Sequence, residues 1–422
     1  MSPSPGSAAA TPAVWRSMVA WAVLGLVIVL YYFRFAEYDW GMMPTYSPVG
    51  DCLMKGERLA PCASAFPYPP LFALLMVPLT FLPMWARNVV WYGVLVSATY
   101  GCFRMCEMLA VRTFQVAREE LFWLRLFSVI LSLKFVLSVF ENQAYDTLVF
   151  LFILVGLYGL SQNRTFGAAA GFAAATALKP TPALMFLYAL YLRKWRVFAL
   201  GVGVWLTLSL LPDLLFTPNR PGPGFLRTWI VDVAVGGLLG TSPDDYYPLL
   251  KDVGLLNQSL KGFVFNIVYG RLGADFAAHA RTILYVVYLV YGLAALAVLL
   301  LSAKVEGALL WGASVIVISM LMLSPVSSKS HFVVLLFPHM AIVAYLIRHR
   351  EARRAVVPLL CTSFALNTLT SRAFMGKALS NQMLAWGCVT LGTLLLLVVV
   401  AVIVLRSRKA APPLPGEIAR AS

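Results

Sequence analysis

The chain has 422 residues, of which 60% are hydrophobic and 12% are charged, and it carries a formal net charge of +15. Soluble domains usually have about 25% charged residues, so the composition excludes a soluble enzyme held at the membrane by one anchor. The positive charge does not indicate nucleic-acid binding, because membrane proteins concentrate Lys and Arg on cytoplasmic loops and beside anionic headgroups.

Apolar segments of membrane-spanning length recur along the whole chain. They predict an all-α, polytopic membrane protein built as a bundle of about 11–13 transmembrane helices. Two apolar pieces, residues 69–83 and 259–270, are short, and each could be a span, a re-entrant segment or an interfacial helix. The predicted spans are residues 15–34, 88–109, 125–140, 146–160, 166–178, 181–192, 197–217, 281–302, 307–323, 332–347, 355–370 and 383–405.

Clusters of Lys and Arg orient these spans, because such clusters remain cytoplasmic. The resulting topology places both termini inside, with residues 35–67 as a long first outer loop and residues 218–258 as a second one. Most of the acidic residues also fall on or near the outer side. The basic clusters lie at residues 112–125, 193–196, 348–354 and 406–409.

The ends of the chain differ in composition from its middle. Residues 1–13 and 406–422 are rich in small residues and Pro, and we expect them to be disordered cytoplasmic tails. Residues 14–405 then form a single transmembrane domain. The first outer loop holds Cys52 and Cys62, which could pair if that loop is extracytoplasmic, and unpaired thiols are the open alternative.

Polar side chains collect at the outer ends of the spans. In "FAEYDWGMMP", Glu37 and Asp39 follow the first span, either as interface residues or as catalytic carboxylates. The turn "FENQAYD" brings Asn142, Gln143 and Asp146 near the membrane. These three residues either cap helices or face a polar cavity, because polar groups at membrane depth are otherwise costly.

Basic side chains interrupt two apolar regions further along. Lys179 separates two apolar half-segments and precedes Pro180. It either snorkels to the interface or binds a phosphate. Lys329 comes shortly before His331 at the start of a predicted span. Histidine ordinarily titrates near neutral pH, which suits proton transfer or phosphate binding.

The tripeptide Asn257-Gln258-Ser259 begins a short apolar piece. Capping of a helix start is the favoured interpretation, and the tripeptide also fits the Asn-x-Ser glycosylation pattern. The sequence contains no phosphate loop, dinucleotide fingerprint, HExxH motif or paired-Cys metal motif. We therefore expect neither a cofactor nor a metal.

The order of these motifs resembles that of glycosyltransferase family 87, a GT-C superfamily group that includes polyprenyl-phosphate-mannose-dependent mannosyltransferases. The resemblance covers about residues 15–345 and rests on an early Asp in the first outer loop, then "YPPLFALLMVPL", a Gln-containing turn, "LKPTP" with "RKWR", "NQSL" and "SP…H". The chain departs from the family pattern at Glu141-Asn142, where a Gly often precedes the Gln, and at Ser328, where an aromatic residue is frequent. These departures leave the substrate open.

The resemblance implies an inverting glycosyltransferase of the cell (plasma or inner) membrane that acts in cell-envelope synthesis. A sugar, with mannose as the family expectation, would pass from a polyprenyl-phosphate donor to a lipid or glycan acceptor on the outer face. Asp39 would be the base and His331 a second catalytic residue, with Lys179 and Lys329 binding the donor phosphate. The implied sugar and acceptor contacts are Trp40, Tyr68, Asn142, Gln143, Asn257 and Gln258.

A membrane transporter or flippase for a lipid-linked or small polar substrate is the alternative. It would place essential ionisable residues at mid-membrane, where Lys134 and Lys179 are the candidates. A structural membrane subunit is a third reading. The clustering of polar motifs on one face and the lack of a clear internal repeat favour the enzyme over the transporter.

Overall fold

All regular secondary structure among the described residues is helical. The computed structural model describes residues 26, 28–36, 43–63, 66–219, 222–236, 254–269 and 279–410. Helices suit a lipid environment because each satisfies its own backbone hydrogen bonds. The α-helices, in chain order, are α1 (Met43–Met54), α2 (Leu59–Cys62), α3 (Pro70–Thr80), α4 (Met84–Phe114), α5 (Leu121–Glu141), α6 (Asp146–Ser161), α7 (Thr165–Leu178), α8 (Leu184–Tyr191), α9 (Trp195–Leu215), α10 (Phe225–Trp229), α11 (Leu260–Ile267), α12 (Ala280–Ser302), α13 (Ala308–Met322), α14 (Leu336–Arg348), α15 (Arg353–Phe364), α16 (Arg372–Ala385) and α17 (Cys388–Ala410).

Short 3₁₀-helical and π-helical turns extend several of these helices. The π-helical turns continue α10 and α15. The 3₁₀ turns occur at Arg118–Glu120, Thr181–Ala183, Lys329–Leu335 and Arg350–Ala352, and the π-helical turns at Ile230–Val235 and Ala365–Leu369.

Six helical segments in the described part of the chain are long and apolar enough to cross a membrane, and shorter apolar helices of 10–17 residues accompany them. The prediction of an all-α, polytopic membrane protein is therefore confirmed. Both ambiguous pieces form helices, α3 and α11, that are too short to span a bilayer unaided. The six long segments are Met84–Phe114, Arg118–Glu141, Trp195–Leu215, Ala280–Ser302, Lys329–Arg348 and Cys388–Arg408.

The long segments differ in how deeply they lie in the bundle. In the most apolar part of Lys329–Arg348, 89% of the residues are buried, whereas the figure for Ala280–Ser302 is 22%. The first segment therefore forms the centre of the bundle. The second presents exposed leucines such as Leu289 and Leu293, as expected of a helix at the lipid boundary.

Helices α6 and α7 form a tight antiparallel hairpin. A Cβ atom on Gly159 would lie 2.4 Å from the Ala168 backbone nitrogen, and one on Gly171 would lie 2.5 Å from the Gly156 nitrogen. Small residues thus allow the two backbones to approach closely. Because the helices run in opposite directions, the first residue of α6 lies beside the residue that follows α7.

The segment predicted to be the first outer loop folds onto the residues after α9. Cys52 and Cys62 form a disulfide that closes the connection between α1 and α2. Within this connection the Gly56 carbonyl accepts a hydrogen bond of 2.9 Å from the Asn219 backbone N–H. Gly56 has a φ of +69°, and a Cβ atom there would lie 2.4 Å from the Thr217 carbonyl oxygen. A glycine is needed at this contact.

The last two predicted spans differ from the structure in detail. Residues 355–370 are helical, but the α-helix gives way to a π-helical turn over Ala365–Leu369. The final span begins at Cys388 rather than 383, because Gly387 has a φ of +67° and interrupts the helix. The separate helix α16 before it was not anticipated. Residues 1–13, most of the predicted span at 15–34, the middle of the loop at 218–258 and the end of the tail at 406–422 lie outside the described residues.

Candidate active site

A buried ion pair joins the two ends of the α6–α7 hairpin. The Lys179 Nζ atom donates to Asp146 Oδ1 over 2.7 Å. The side chains of Lys179 and Asp146 are only 15% and 6% exposed. A buried charge is tolerated when it is paired, so each of these two groups stabilises the charged form of the other.

Local sequence explains how both partners reach this position. Asp146 is the first residue of α6, where the positive end of the helix dipole favours a carboxylate. Lys179 follows the last residue of α7 in an extended conformation, with φ −151° and ψ 133°. Pro180 disfavours a helical conformation at the residue before it, so the helix ends there and the lysine turns towards α6.

His331 approaches the same carboxylate from another part of the chain. Its Nδ1 atom accepts a hydrogen bond of 3.3 Å from the Ser328 backbone N–H. In the neutral imidazole the proton therefore resides on Nε2. Nε2 lies 3.8 Å from Asp146 Oδ1, which is beyond hydrogen-bond range. The imidazole is fixed by its own turn and faces the ion pair without bonding to it.

These three charged or titratable residues line a cleft of about 330 Å³. The cleft is bounded by the start of α6, the segment after α7, the end of α13 and the turns before α14. Its polar wall also includes hydroxyl groups, and its floor is apolar. The hydroxyl residues in the lining are Thr181, Ser324 and Ser327.

Tyr68 lies beside this cleft, within a cluster of aromatic rings. Its ring centroid is 5.0 Å from that of Tyr145, the residue before Asp146. The Tyr145 hydroxyl donates to the Leu178 carbonyl over 3.0 Å, which ties it to the residue before Lys179. Burial raises the pKa of Tyr68. The Tyr68 hydroxyl therefore stays protonated at neutral pH and can donate a hydrogen bond.

Gln143 is buried, and its amide is occupied by backbone groups. The Nε2 atom donates to the Phe35 carbonyl over 3.1 Å, and Oε1 accepts from the Met43 N–H over 2.9 Å. The Trp91 indole N–H also donates to the Gln143 carbonyl over 2.8 Å. Asn142 is exposed, and its side chain bonds the Ser138 carbonyl and hydroxyl. The turn is thus capped by Asn142 and fastened by Gln143.

Asn257, near the end of the predicted second outer loop, is bonded to the turn before α14. Its amide nitrogen donates to the Pro325 carbonyl over 2.9 Å, and its Oδ1 accepts from the Ser327 backbone N–H over 3.0 Å. Gln258 uses its own amide nitrogen for the Leu255 and Leu384 carbonyls. The helix cap itself is Ser259, whose hydroxyl accepts from the α11 backbone. Asn257 is buried and engaged, which disfavours glycosylation.

The two other lysines considered from the sequence differ in their contacts. The Lys329 side chain makes no hydrogen bond or ion pair within the part of the chain that the structure describes. Lys134, within a long apolar segment, donates to the Asn367 carbonyl. That carbonyl belongs to the π-helical turn that continues α15. Lys179 is therefore neutralised by a carboxylate, whereas Lys329 remains available to an anion.

Asp39 and Trp40, the predicted base and its aromatic neighbour, lie outside the described residues. Of the other predicted residues, the structure brings Lys179, His331 and Tyr68 to one region. It assigns Gln143, Asn257 and Gln258 to hydrogen bonds that hold loops. Asp146 was seen as part of a polar turn but was not assigned to the site. The sequence did contain a signal for this role. Asp146 is an acid at the first position of a helix, and that helix pairs with the helix that precedes Lys179.

Comparisons with known proteins agree with the motif order. The model of glycosyltransferase family 87 matches residues 66–325, which is more than half of the chain. Among solved structures, the chain is similar to ArnT from Cupriavidus metallidurans bound to undecaprenyl phosphate, with a TM-score of 0.44, and to the same protein in the apo state, with a TM-score of 0.41. The identity is 15% in both cases, over 93% of this chain and 78% of ArnT. No protein of curated function matches the sequence. The extent of the family match shows that this chain belongs to glycosyltransferase family 87.

Proposed function

We propose that the protein transfers a sugar, most simply mannose, from a polyprenyl-phosphate donor to a lipid or glycan acceptor on the outer face of the cell membrane. The observation that carries this proposal is the convergence of Asp146, Lys179 and His331 on one cleft within a chain of family 87. The ArnT structure that resembles this chain was solved with undecaprenyl phosphate. A lipid phosphate is thus a consistent donor class.

The disulfide between Cys52 and Cys62 supports an outer location for the active site. Structural disulfides form and persist in oxidising compartments and are rare in the cytosol. The loop that holds the disulfide follows the first apolar segment, and Tyr68 comes soon after it. The outer location, with both termini cytoplasmic, agrees with the positive-inside rule.

The proposed reaction is an inverting displacement at the anomeric carbon. Asp39 removes the proton of the acceptor hydroxyl, and the oxygen attacks the face opposite the phosphate. The bond from the anomeric carbon to the phosphate oxygen breaks, and its electron pair leaves with the phosphate. Cationic groups stabilise that developing charge. Lys329 is the most available of them, while Lys179 is held in place by Asp146.

The function is tested by incubating the purified protein in nanodiscs with a panel of polyprenyl-phosphate sugars, including mannose and pentose donors. Products are identified by mass spectrometry. We expect a glycoside from one donor. A protein that forms no glycoside but moves the lipid across proteoliposomes would instead be a flippase.

The base is tested separately with Asp39→Asn. We expect loss of transfer, because the amide cannot accept the hydroxyl proton. Asp51→Asn is the matched control, since Asp51 is an acid of the same outer loop whose ion pair with Lys55 is solvent-exposed. Normal turnover by Asp39→Asn would remove Asp39 from the mechanism.

A further inference from the structure

A second cleft, of about 400 Å³, opens on the outer loops next to the candidate active site. Three separate segments form its walls. One is the disulfide-closed connection between α1 and α2, another is the segment before α3, and the last is α10 with the residues that precede it. A cleft built from three segments has a defined shape and opens to solvent at the outer loops.

Four of the ten residues that line this cleft are aromatic. Phe66, Tyr68, Phe225 and Trp229 all line it. The Trp229 indole N–H donates to the Pro67 carbonyl over 2.9 Å, which fixes the orientation of the ring while the side chain remains half-buried. Rigid Tyr and Trp rings offer a large amphipathic contact area at little cost in conformational entropy.

Polar groups occur at one side of the same cleft. Arg58 lines the cleft, and its guanidinium reaches Asp232 through a single contact of 3.4 Å. The Arg58 side chain is 57% exposed. A guanidinium has five N–H donors, so most of them remain available to a ligand. The pair is close to neutral overall, which favours a neutral polar ligand over a phosphate.

Tyr68 connects this cleft to the candidate active site. It lines the cleft on one side, and on the other its ring meets that of Tyr145, next to Asp146, edge to face at 5.0 Å. A ligand in the cleft would therefore lie beside the candidate active site.

We propose that this cleft binds a neutral sugar ring of the acceptor, with Trp229 and Tyr68 against the ring face and Arg58 on its hydroxyl groups. The inference rests on the proposed function and adds the chemical class of the acceptor to it. A pyranose suits these walls because it presents C–H groups on its faces and hydroxyl groups at its edge. Aromatic rings contact the former and a guanidinium donates to the latter.

Binding is tested directly with methyl α-mannoside, methyl β-glucoside and methyl β-galactoside added to the protein in nanodiscs. Saturation-transfer NMR reports contact between aromatic protons and sugar C–H groups. We expect binding of at least one glycoside, with a Kd raised at least tenfold in Trp229→Ala. Trp195→Ala is the control, because Trp195 is an exposed tryptophan at the start of α9 and does not line the cleft.

Arg58→Ala is the second variant, and it keeps the test decisive if Trp229→Ala fails to fold. Arg58 is largely exposed, so we expect a folded protein with a similarly raised Kd. Absence of glycoside binding by the wild type, or wild-type affinity in Arg58→Ala and in folded Trp229→Ala, would overturn the inference.

A kinetic measurement separates this inference from the proposed function. If the wild type transfers sugar and Arg58→Ala has the wild-type KM for the acceptor, the proposed sugar subsite is wrong. The proposed glycosyltransferase function is then unaffected. If the glycosides bind in an Arg58-dependent way but no donor is turned over, the subsite stands and the proposed donor class fails.

Discussion

The ion pair between Asp146 and Lys179 offers a quantitative test of the site geometry. We consider Asp146→Asn, Lys179→Met and the double variant. Each single change removes one partner and leaves the other charged group buried, whereas the double change removes both charges. The two residues are 33 positions apart in sequence, so their coupling reports how the α6–α7 hairpin is assembled.

The expected loss in the free energy of unfolding follows from the distance between the two charges and from their burial. Two unit charges separated by 2.7 Å attract by about 6 kcal/mol at an effective dielectric constant of about 20. Desolvation of the two ions offsets several kcal/mol of this attraction, and breaking a buried pair typically costs about 3–5 kcal/mol. We therefore expect each single variant to lose about 3 kcal/mol of the free energy of unfolding. The double variant should lose less than the sum by about 2 kcal/mol.

The assay is reversible unfolding in mixed SDS micelles, followed by circular dichroism. The pair Lys55–Asp51 is the matched control, because its charged atoms are 2.6 Å apart but the side chains are 59% and 48% exposed. Lys55→Met should leave the unfolding curve unchanged, since solvent screens exposed pairs. Strict additivity of the two buried changes, or an equal loss from the exposed pair, would refute the argument that burial makes this contact strong.

Three further perturbations test the loops around the site. Asn257→Ala should cost about 1–3 kcal/mol, because it leaves the buried Ser327 N–H without a partner, and hydrogen exchange should rise at that turn. Gly56→Ala should destabilise the first outer loop through strain and a clash, seen as a lower melting temperature. Gly203→Ala, where a Cβ atom meets open space, should not have this effect. Replacing the disulfide with Cys52→Ser and Cys62→Ser should cost about 2–3 kcal/mol for a loop of this length, and an unchanged melting temperature would count against a structural role.

The predicted spans succeeded because hydropathy over a window of about 20 residues is a local property. Segments such as Trp195–Leu215 and Ala280–Ser302 can be identified without knowing what they contact. Helix α16 was missed for the same reason. It has many polar residues and is interrupted at Gly376, so no apolar window marks it.

The site was less accessible to the sequence because its contacts are long-range. Lys179 was recognised as unusual, but its partner Asp146 depends on the close packing that the glycines of α6 and α7 allow. The bonds from Asn257 to Pro325 and Ser327 cross about 70 positions of the chain. Local patterns identified these residues as polar and unusual, but did not reveal which groups they bind.

Gln143 shows how the structure changes the interpretation of a motif residue. The sequence suggested that its amide binds a sugar, yet Nε2 and Oε1 bond the backbone at Phe35 and Met43. Those two residues flank the segment that contains Asp39. A glutamine is suited to this task because its amide both donates and accepts. Glutamate would lose the bond to the Phe35 carbonyl and leave a buried charge. Gln143 thus supports the ends of the segment that contains Asp39, and sugar contact is not needed to account for a glutamine in this turn.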